Sequence, residues 1–167
     1  YDYRTALDIF SRLEEFNLES IEQPVRRWDI AGMKYVRNRL KTPIMADESV
    51  SSLHDVHTII HEQAADIVNL KVGKVGGLHV SQKIAAALET AGMTATAGSN
   101  LEVGIGSAAS VHFVLSSPVL TMPHDMMIGG PLHEHDLIHS GVTVADGFVT
   151  CSDSPGLGIE VDESIFK

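Results

Sequence analysis

Glu22, Asp47, Lys71 and Asp125 each close a short apolar run, at intervals of 25, 24 and 54 residues. A strand, a helix and their two connections take roughly 25 residues, and a parallel α/β sheet gathers the C-terminal ends of its strands on one side. The spacing therefore predicts an α/β chain whose four polar side chains, far apart in sequence, project into one pocket. Two carboxylates and an amine gathered there are the parts of a metal-assisted proton-transfer site.

The segments between these residues have the expected periods. Residues 5–16 read as a helix with Ala6, Leu7, Phe10 and Leu13 on one face and Arg12, Glu14 and Glu15 on the other. Leu18 to Ile21 is an apolar run stopped by Pro24. A second helix is predicted over 28–40, with Trp28 and Met33 packed inside. After Pro43 to Ala46, a third helix capped by Ser51 or Ser52 runs to about Gln63, burying Leu53, Val56, Ile59 and Ile60.

Asp66 to Lys71 reads as a strand, Gly73 to Gly77 as a turn, and Leu78 to Ala91 as a helix ended by Gly92. Met93 to Ala97 is the next strand. A loop from Leu101 to Gly106 leads into a helix over 107–115, and Pro118 to Met122 supplies a fifth strand reaching His124 and Asp125. Beyond Gly129-Gly130-Pro131 the alternation ends. Residues 140–167 read as an antiparallel tail, and residues 1–139 as about five strand–helix units. A closed eight-stranded barrel needs about 250 residues, so 167 residues make either a five-stranded open sheet or part of a barrel. The start at Tyr1-Asp2-Tyr3, without methionine, favours the second.

Bulk properties narrow the partners. A formal charge of −10, from 12 basic and 22 acidic residues, argues against nucleic acid or an anionic membrane surface. The apolar stretches fall short of the ~20 residues that span a bilayer. Cys151 is the single cysteine and has no partner for an internal disulfide; a cytoplasmic setting is the expectation.

Glu22 and Asp47 are hard oxygen donors suited to Mg2+ or Mn2+; taken singly, each also fits a helix-capping or loop acid. Lys71 shares a strand face with Asn69. It either extends to solvent or, beside a divalent cation that disfavours its ammonium, accepts a proton. His54, His57 and His61 fall on one helical face and read as a solvated surface. His133, Glu134, His135 and His139 read as loop side chains and form the rival metal site.

Four stretches in order resemble the enolase superfamily, and within it the muconate lactonizing and mandelate racemase group. They are Ile21-Glu22-Gln23-Pro24, Met45-Ala46-Asp47-Glu48-Ser49, Asn69 to Gly77 (NLKVGKVGG) and Gly98 to Gly106 (GSNLEVGIG). The resemblance covers nearly the whole chain. It implies the C-terminal part of a modified (β/α)-barrel, with Glu22 and Asp47 as second and third ligands of Mg2+ or Mn2+ and Lys71 as the acid/base. Asp125 falls where the group usually places a glutamate near the eighth strand, and would join Lys71 in catalysis as a helper acid or hydrogen-bond partner; it is followed here by Met126-Met127-Ile128. Asn69, Ser99 and Asn100 would contact the substrate, and Glu102 would be structural. The first metal ligand would precede Tyr1, and Asp2 is a poor positional match for it.

The implied reaction moves a proton α to the carboxylate of a small acid through an enediolate. Muconate cycloisomerisation comes first, racemisation or epimerisation second, and formation of an o-succinylbenzoate-like product third. The resemblance also implies a homo-oligomer, a capping domain against which residues 140–167 pack, and an isolated chain that is inactive. Two readings from other classes stay open: a flavodoxin-like binding module and a catalytically silent scaffold. Strand order separates the first of these from a barrel, because sequential neighbours make a barrel arc and a switch point makes an open sheet.

Overall fold

In the computed structural model, which describes residues 1–126 and 133–166, four strands lie parallel in the order of the sequence. They are β1 (Ile21–Glu22), β2 (Ile44–Ala46), β3 (Ile67–Leu70) and β4 (Thr94–Ala97). Sequential order without a switch point makes the sheet an arc of a barrel. Of the stretch after Asp125, residues 127–132, including Gly129-Gly130-Pro131, lie outside the described residues.

Helices α1 (Tyr3–Leu13), α2 (Ile30–Arg37), α3 (Leu53–Glu62), the single turn α4 (Val72–Val75), α5 (Leu78–Thr90) and α6 (Gly104–Leu115) complete the α/β alternation. Strand period 2 assigns the two faces of the sheet. Ile21, Ile44, Ala46, Val68, Leu70, Ala95 and Ala97 join the core with Met33, Val36, Val56, Ile59, Ile84, Leu88 and Phe113 from the helices. The register Glu22↔Met45↔Ile67 and Asn69↔Thr96 puts the alternate residues on the opposite face. Asp47, Lys71 and Gly98 continue that face one step past the strand ends.

Several local expectations are corrected. The helix over 5–16 begins at Tyr3, because the Asp2 carboxylate caps it by accepting from the Arg4 and Thr5 amides. It tightens to a 3-10 turn at Glu14–Phe16. The second helix is shorter than 28–40, starting at Ile30 with Asp29 as its cap. Trp28 lies outside it and is 67% exposed, with the Arg26 guanidinium 5.7 Å from its ring. Leu53 is also exposed, since it follows the Ser52 cap before the buried stripe of Val56 and Ile59 begins. The expected turn over 73–77 holds one helical turn, closed by Gly76 and Gly77 in positive-φ conformations.

Helix α6 starts three residues before the expected Ser107. No local side chain caps it; Asp136 Oδ1, from the tail, accepts from the Gly104 amide at 2.7 Å. The fifth strand reduces to two parallel bridges, Ala95↔Leu120 and Gly98↔Asp125. Pro118 and Pro123 lack amide donors, and the Leu120 and Thr121 amides turn back to Ser117 and Val119. The segment still runs beside β4, through Thr96 Oγ1 donating to the Pro123 carbonyl at 2.7 Å.

In the tail, β5 (Ile138–Ser140) pairs antiparallel with β8 (Glu160–Val161), and β6 (Val142–Ala145) forms a hairpin with β7 (Phe148–Cys151). Asp146 and Gly147, both at positive φ, make its two-residue turn. Among the described residues no helix is long and apolar enough to cross a membrane.

Asp66 joins the helix layer to the sheet. Its carboxylate accepts from the Ile44 amide at 2.9 Å and from Arg37 Nε at 2.8 Å. Asp66→Ala should lower unfolding stability by about 1–2 kcal/mol, a loss of charge-assisted hydrogen bonds tempered by partial exposure. Urea denaturation measures it, and an unchanged midpoint would contradict this role.

Candidate active site

Successive strand ends deliver the site. Glu22 ends β1, Asp47 follows β2, and Asn69 and Lys71 lie at the end of β3. Lys71 Nζ donates to Asp47 Oδ2 at 2.6 Å, and the two side chains are only 16% and 7% exposed. Lys74, from α4, donates to Asp47 Oδ1, to the Asp47 carbonyl at 2.6 Å and to the Asn69 carbonyl at 3.2 Å. Asn69 Nδ2 donates to Glu22 Oε1 at 2.7 Å. One cluster therefore holds two carboxylates and two ammonium groups, with Asp47 buried, the lysines half-buried and Glu22 at its exposed edge.

Gln23, at φ 40°, fixes the loop after β2. Its Oε1 accepts from the Asp47 amide at 2.9 Å and the Ser49 amide at 3.1 Å, while its Nε2 donates to Ser49 Oγ at 2.8 Å. A cavity of about 700 Å3 opens in front, lined by Glu22, Gln23, Val25, Arg26, Arg27, Trp28, Asp47 and Glu48.

Electrostatics follow from this packing. Partial burial and the neighbouring Asp47 charge push the Glu22 carboxyl above its ordinary range, against the Asn69 hydrogen bond. Burial also opposes the Asp47 charge, but hydrogen bonds from Lys71 and Lys74 prevail and hold its carboxyl below the usual range. Burial likewise opposes the Lys71 ammonium, yet the Asp47 contact and the Glu22 and Glu48 charges raise its pKa. At Lys74 burial dominates and lowers it.

The donor set fits a divalent cation. Glu22 and Asp47 are adjacent hard-oxygen groups under mutual repulsion, and Asn69 Oδ1 beside them is buried with no hydrogen-bond partner among the described residues. The lysine ammoniums supply the positive charge in this arrangement. Among the described residues no group of three metal-binding side chains converges, so these two carboxylates stand as a pair.

The other candidates fall elsewhere. Asp125 reaches the same end of the sheet, its amide donating to the Ala97 carbonyl at 2.9 Å. Its carboxylate is exposed and, among the described residues, makes no hydrogen bond to Glu22, Asp47 or Lys71. Ser99 and Asn100 follow β4. Asn100 sits with Glu102 over Gly73, where each would lie 3.7 Å from an added Cβ. His57 and His61 stack on α3 with ring centroids 6.2 Å apart, and His139 lies 3.4 Å from Asp162 in the tail.

Sequence reading missed Lys74 and Gln23. The spacing Lys71-x-x-Lys74 was the available signal for the first, since a single helical turn returns position i+3 to the same side. Gln23 carried no such signal.

Gly98 leaves the space that the cluster fills. An added Cβ would stand 2.4 Å from Asn69 Oδ1 and 2.8 Å from Lys71 Cε. Gly98→Ala is expected to cost about 1–3 kcal/mol through overpacking and to break the Asn69–Glu22 hydrogen bond. Denaturation and the Asn69 side-chain amide resonances would show both effects, and an unshifted Asn69 amide would refute the second.

Comparison with known proteins follows the same outline. A family profile described as "Enolase C-terminal domain-like" matches residues 1–165. Muconate cycloisomerase 1 of Rhodococcus opacus is 34% identical over 167 residues, which are 100% of this chain and 44% of that protein. L-Ala-D/L-Glu epimerase of Clostridium acetobutylicum is 35% identical, over 88% of this chain and 40% of that protein. The crystal structure of muconate cycloisomerase from Pseudomonas fluorescens superposes with a TM-score of 0.90 at 34% identity, over 99% of this chain and 46% of that one. The chain thus spans less than half the length of these relatives. It belongs to the enolase superfamily, as part of the C-terminal barrel domain of that family.

Proposed function

We propose that the protein carrying this chain is a divalent-metal-dependent enzyme that moves a proton α to the carboxylate of a small acid. Muconate cycloisomerisation is the first reading, racemisation or epimerisation the second, and o-succinylbenzoate formation the third. The observation that carries the proposal is the convergence of Glu22, Asp47 and Lys71 from three successive strand ends, with Lys71 Nζ 2.6 Å from Asp47.

Glu22 and Asp47 would hold Mg2+, the metal used generally in this superfamily, or Mn2+. The cation would supply positive charge where a substrate carboxylate becomes more negative. Asn69 holds Glu22 in place through its amide. Lys71 Nζ is the proton-bearing atom: as the ammonium it delivers a proton to the α-carbon, and as the free amine it takes one. Arg26 and Arg27 add positive charge to the cavity rim, which suits a carboxylate substrate and agrees with relatives that act on small carboxylates. Asp125 is proposed as a helper acid, Asn69, Ser99 and Asn100 as substrate contacts, and residues 140–167 as the segment that packs toward a capping domain in a homo-oligomer.

Exchange of the α-proton in D2O tests the reading, with muconolactone and an Ala-Glu dipeptide as probes of the full-length protein. Exchange should stop on chelation and return with Mg2+ or Mn2+. Glu22→Gln should abolish the metal response, and Lys71→Ala should slow exchange by about a hundredfold to ten-thousandfold. Exchange that ignores both metal and Lys71 would overturn the proposal, and a protein with no metal response at all would be the silent scaffold.

A further inference from the structure

The two lysines of the cluster are bonded very differently. Among the described residues Lys71 Nζ has one acceptor, Asp47 Oδ2. Lys74 Nζ has three: Asp47 Oδ1, the Asp47 carbonyl and the Asn69 carbonyl. An ammonium carries three hydrogens, so Lys74 has none left for a substrate, and its side chain is only 14% exposed. Two of its acceptors are main-chain oxygens at the ends of neighbouring strands β2 and β3. Lys74 therefore joins those strand ends and grips the side chain and the backbone of Asp47 together.

We propose that Lys74 is a positioning residue for the metal centre, fixing the Asp47 carboxylate so that Lys71 is free to leave it and carry the proton. This rests on the reading of Glu22 and Asp47 as metal ligands. The division of labour has a local cause. Helix α4 begins directly after β3, so Lys74 lies within one turn of the strand end and beside the end of β2, and Gly76 and Gly77, both at positive φ, close that turn. The Lys71 backbone, still extended at φ −122° and ψ 114°, points its side chain along the strand face toward Glu22 and Asp47.

Mn2+ affinity separates positioning from simple charge. Removing either ammonium lessens repulsion of a cation, so electrostatics alone predicts tighter Mn2+ binding in both Lys71→Met and Lys74→Met. The proposal predicts opposite signs. Titration calorimetry on the full-length protein should find Lys71→Met binding Mn2+ at least as tightly as the native protein. Lys74→Met should bind at least about tenfold more weakly, the scale of losing a group that orients a ligand. Lys74→Met binding equally well or better would overturn the proposal.

If Lys74→Met does not fold, lysine Nζ resonances of the native protein read the same claim. The Lys74 ammonium should exchange slowly and stay unmoved at saturating Mg2+, while the Lys71 signal shifts. A Lys74 signal that exchanges like that of a surface lysine, or moves as far as that of Lys71, would overturn it. Native protein that binds no Mn2+, or binds it unaltered in Glu22→Gln, marks failure of the metal reading itself and is recognised before any lysine variant is made.

Discussion

A carboxylate buried between two ammonium groups sits where three strands end, and the site depends on it. Desolvating Asp47 costs several kcal/mol unless opposite charge and hydrogen bonds compensate. Lys71 and Lys74 provide both. Neither lysine would reach Asp47 if β2 and β3 were antiparallel or one residue out of register, because the pleat would turn Lys71 into the helix layer. The parallel pairing Ala46↔Val68 is thus a condition of the charged cluster as much as of the fold.

The same alternation explains why small and large residues sit where they do. The helix-facing positions of β2 and β3 are Ile44, Ala46, Val68 and Leu70, all buried. On the other face the polar residues Glu22, Asp47, Asn69 and Lys71 crowd together, and Gly98 at the next strand end has no side chain to compete for that volume. Placing the groups on strand ends, with loops restrained by Gln23 and Lys74, limits their freedom before any substrate arrives.

Much of this was legible in the sequence because it depends on local patterns. Apolar runs of strand length located β1 to β4, and the 25- and 24-residue steps placed Glu22, Asp47 and Lys71 at one end of one sheet. What was illegible depends on contacts distant in sequence. Helix α6 begins early because Asp136, 32 residues onward, caps it. The 118–122 run is apolar enough for a strand, but two prolines and inward-turning amides leave it only bridges. Trp28 reads as core by residue type, yet it precedes the Asp29 cap and faces outward. Lys74 was visible as a spacing, but its meaning needed α4 to be a helical turn and not a loop.

The charged cluster and the cavity rim occupy different parts of this molecule. Asp47 is buried, Lys71 and Lys74 are half-buried against it, and strand ends hold the cluster. The outer wall of the cavity, Arg26, Arg27 and Trp28, is exposed and carried by the connection between β1 and α2. Changing that wall leaves the Asp47 cluster intact, whereas changing Gly98 or Lys74 disturbs the cluster itself. A muconate cycloisomerase and a dipeptide epimerase match this chain at 34% and 35% identity. Overall identity therefore does not choose between their reactions. Within this chain, the exposed rim of Arg26, Arg27 and Trp28 is the part of the cavity wall that can change without disturbing the Asp47 cluster.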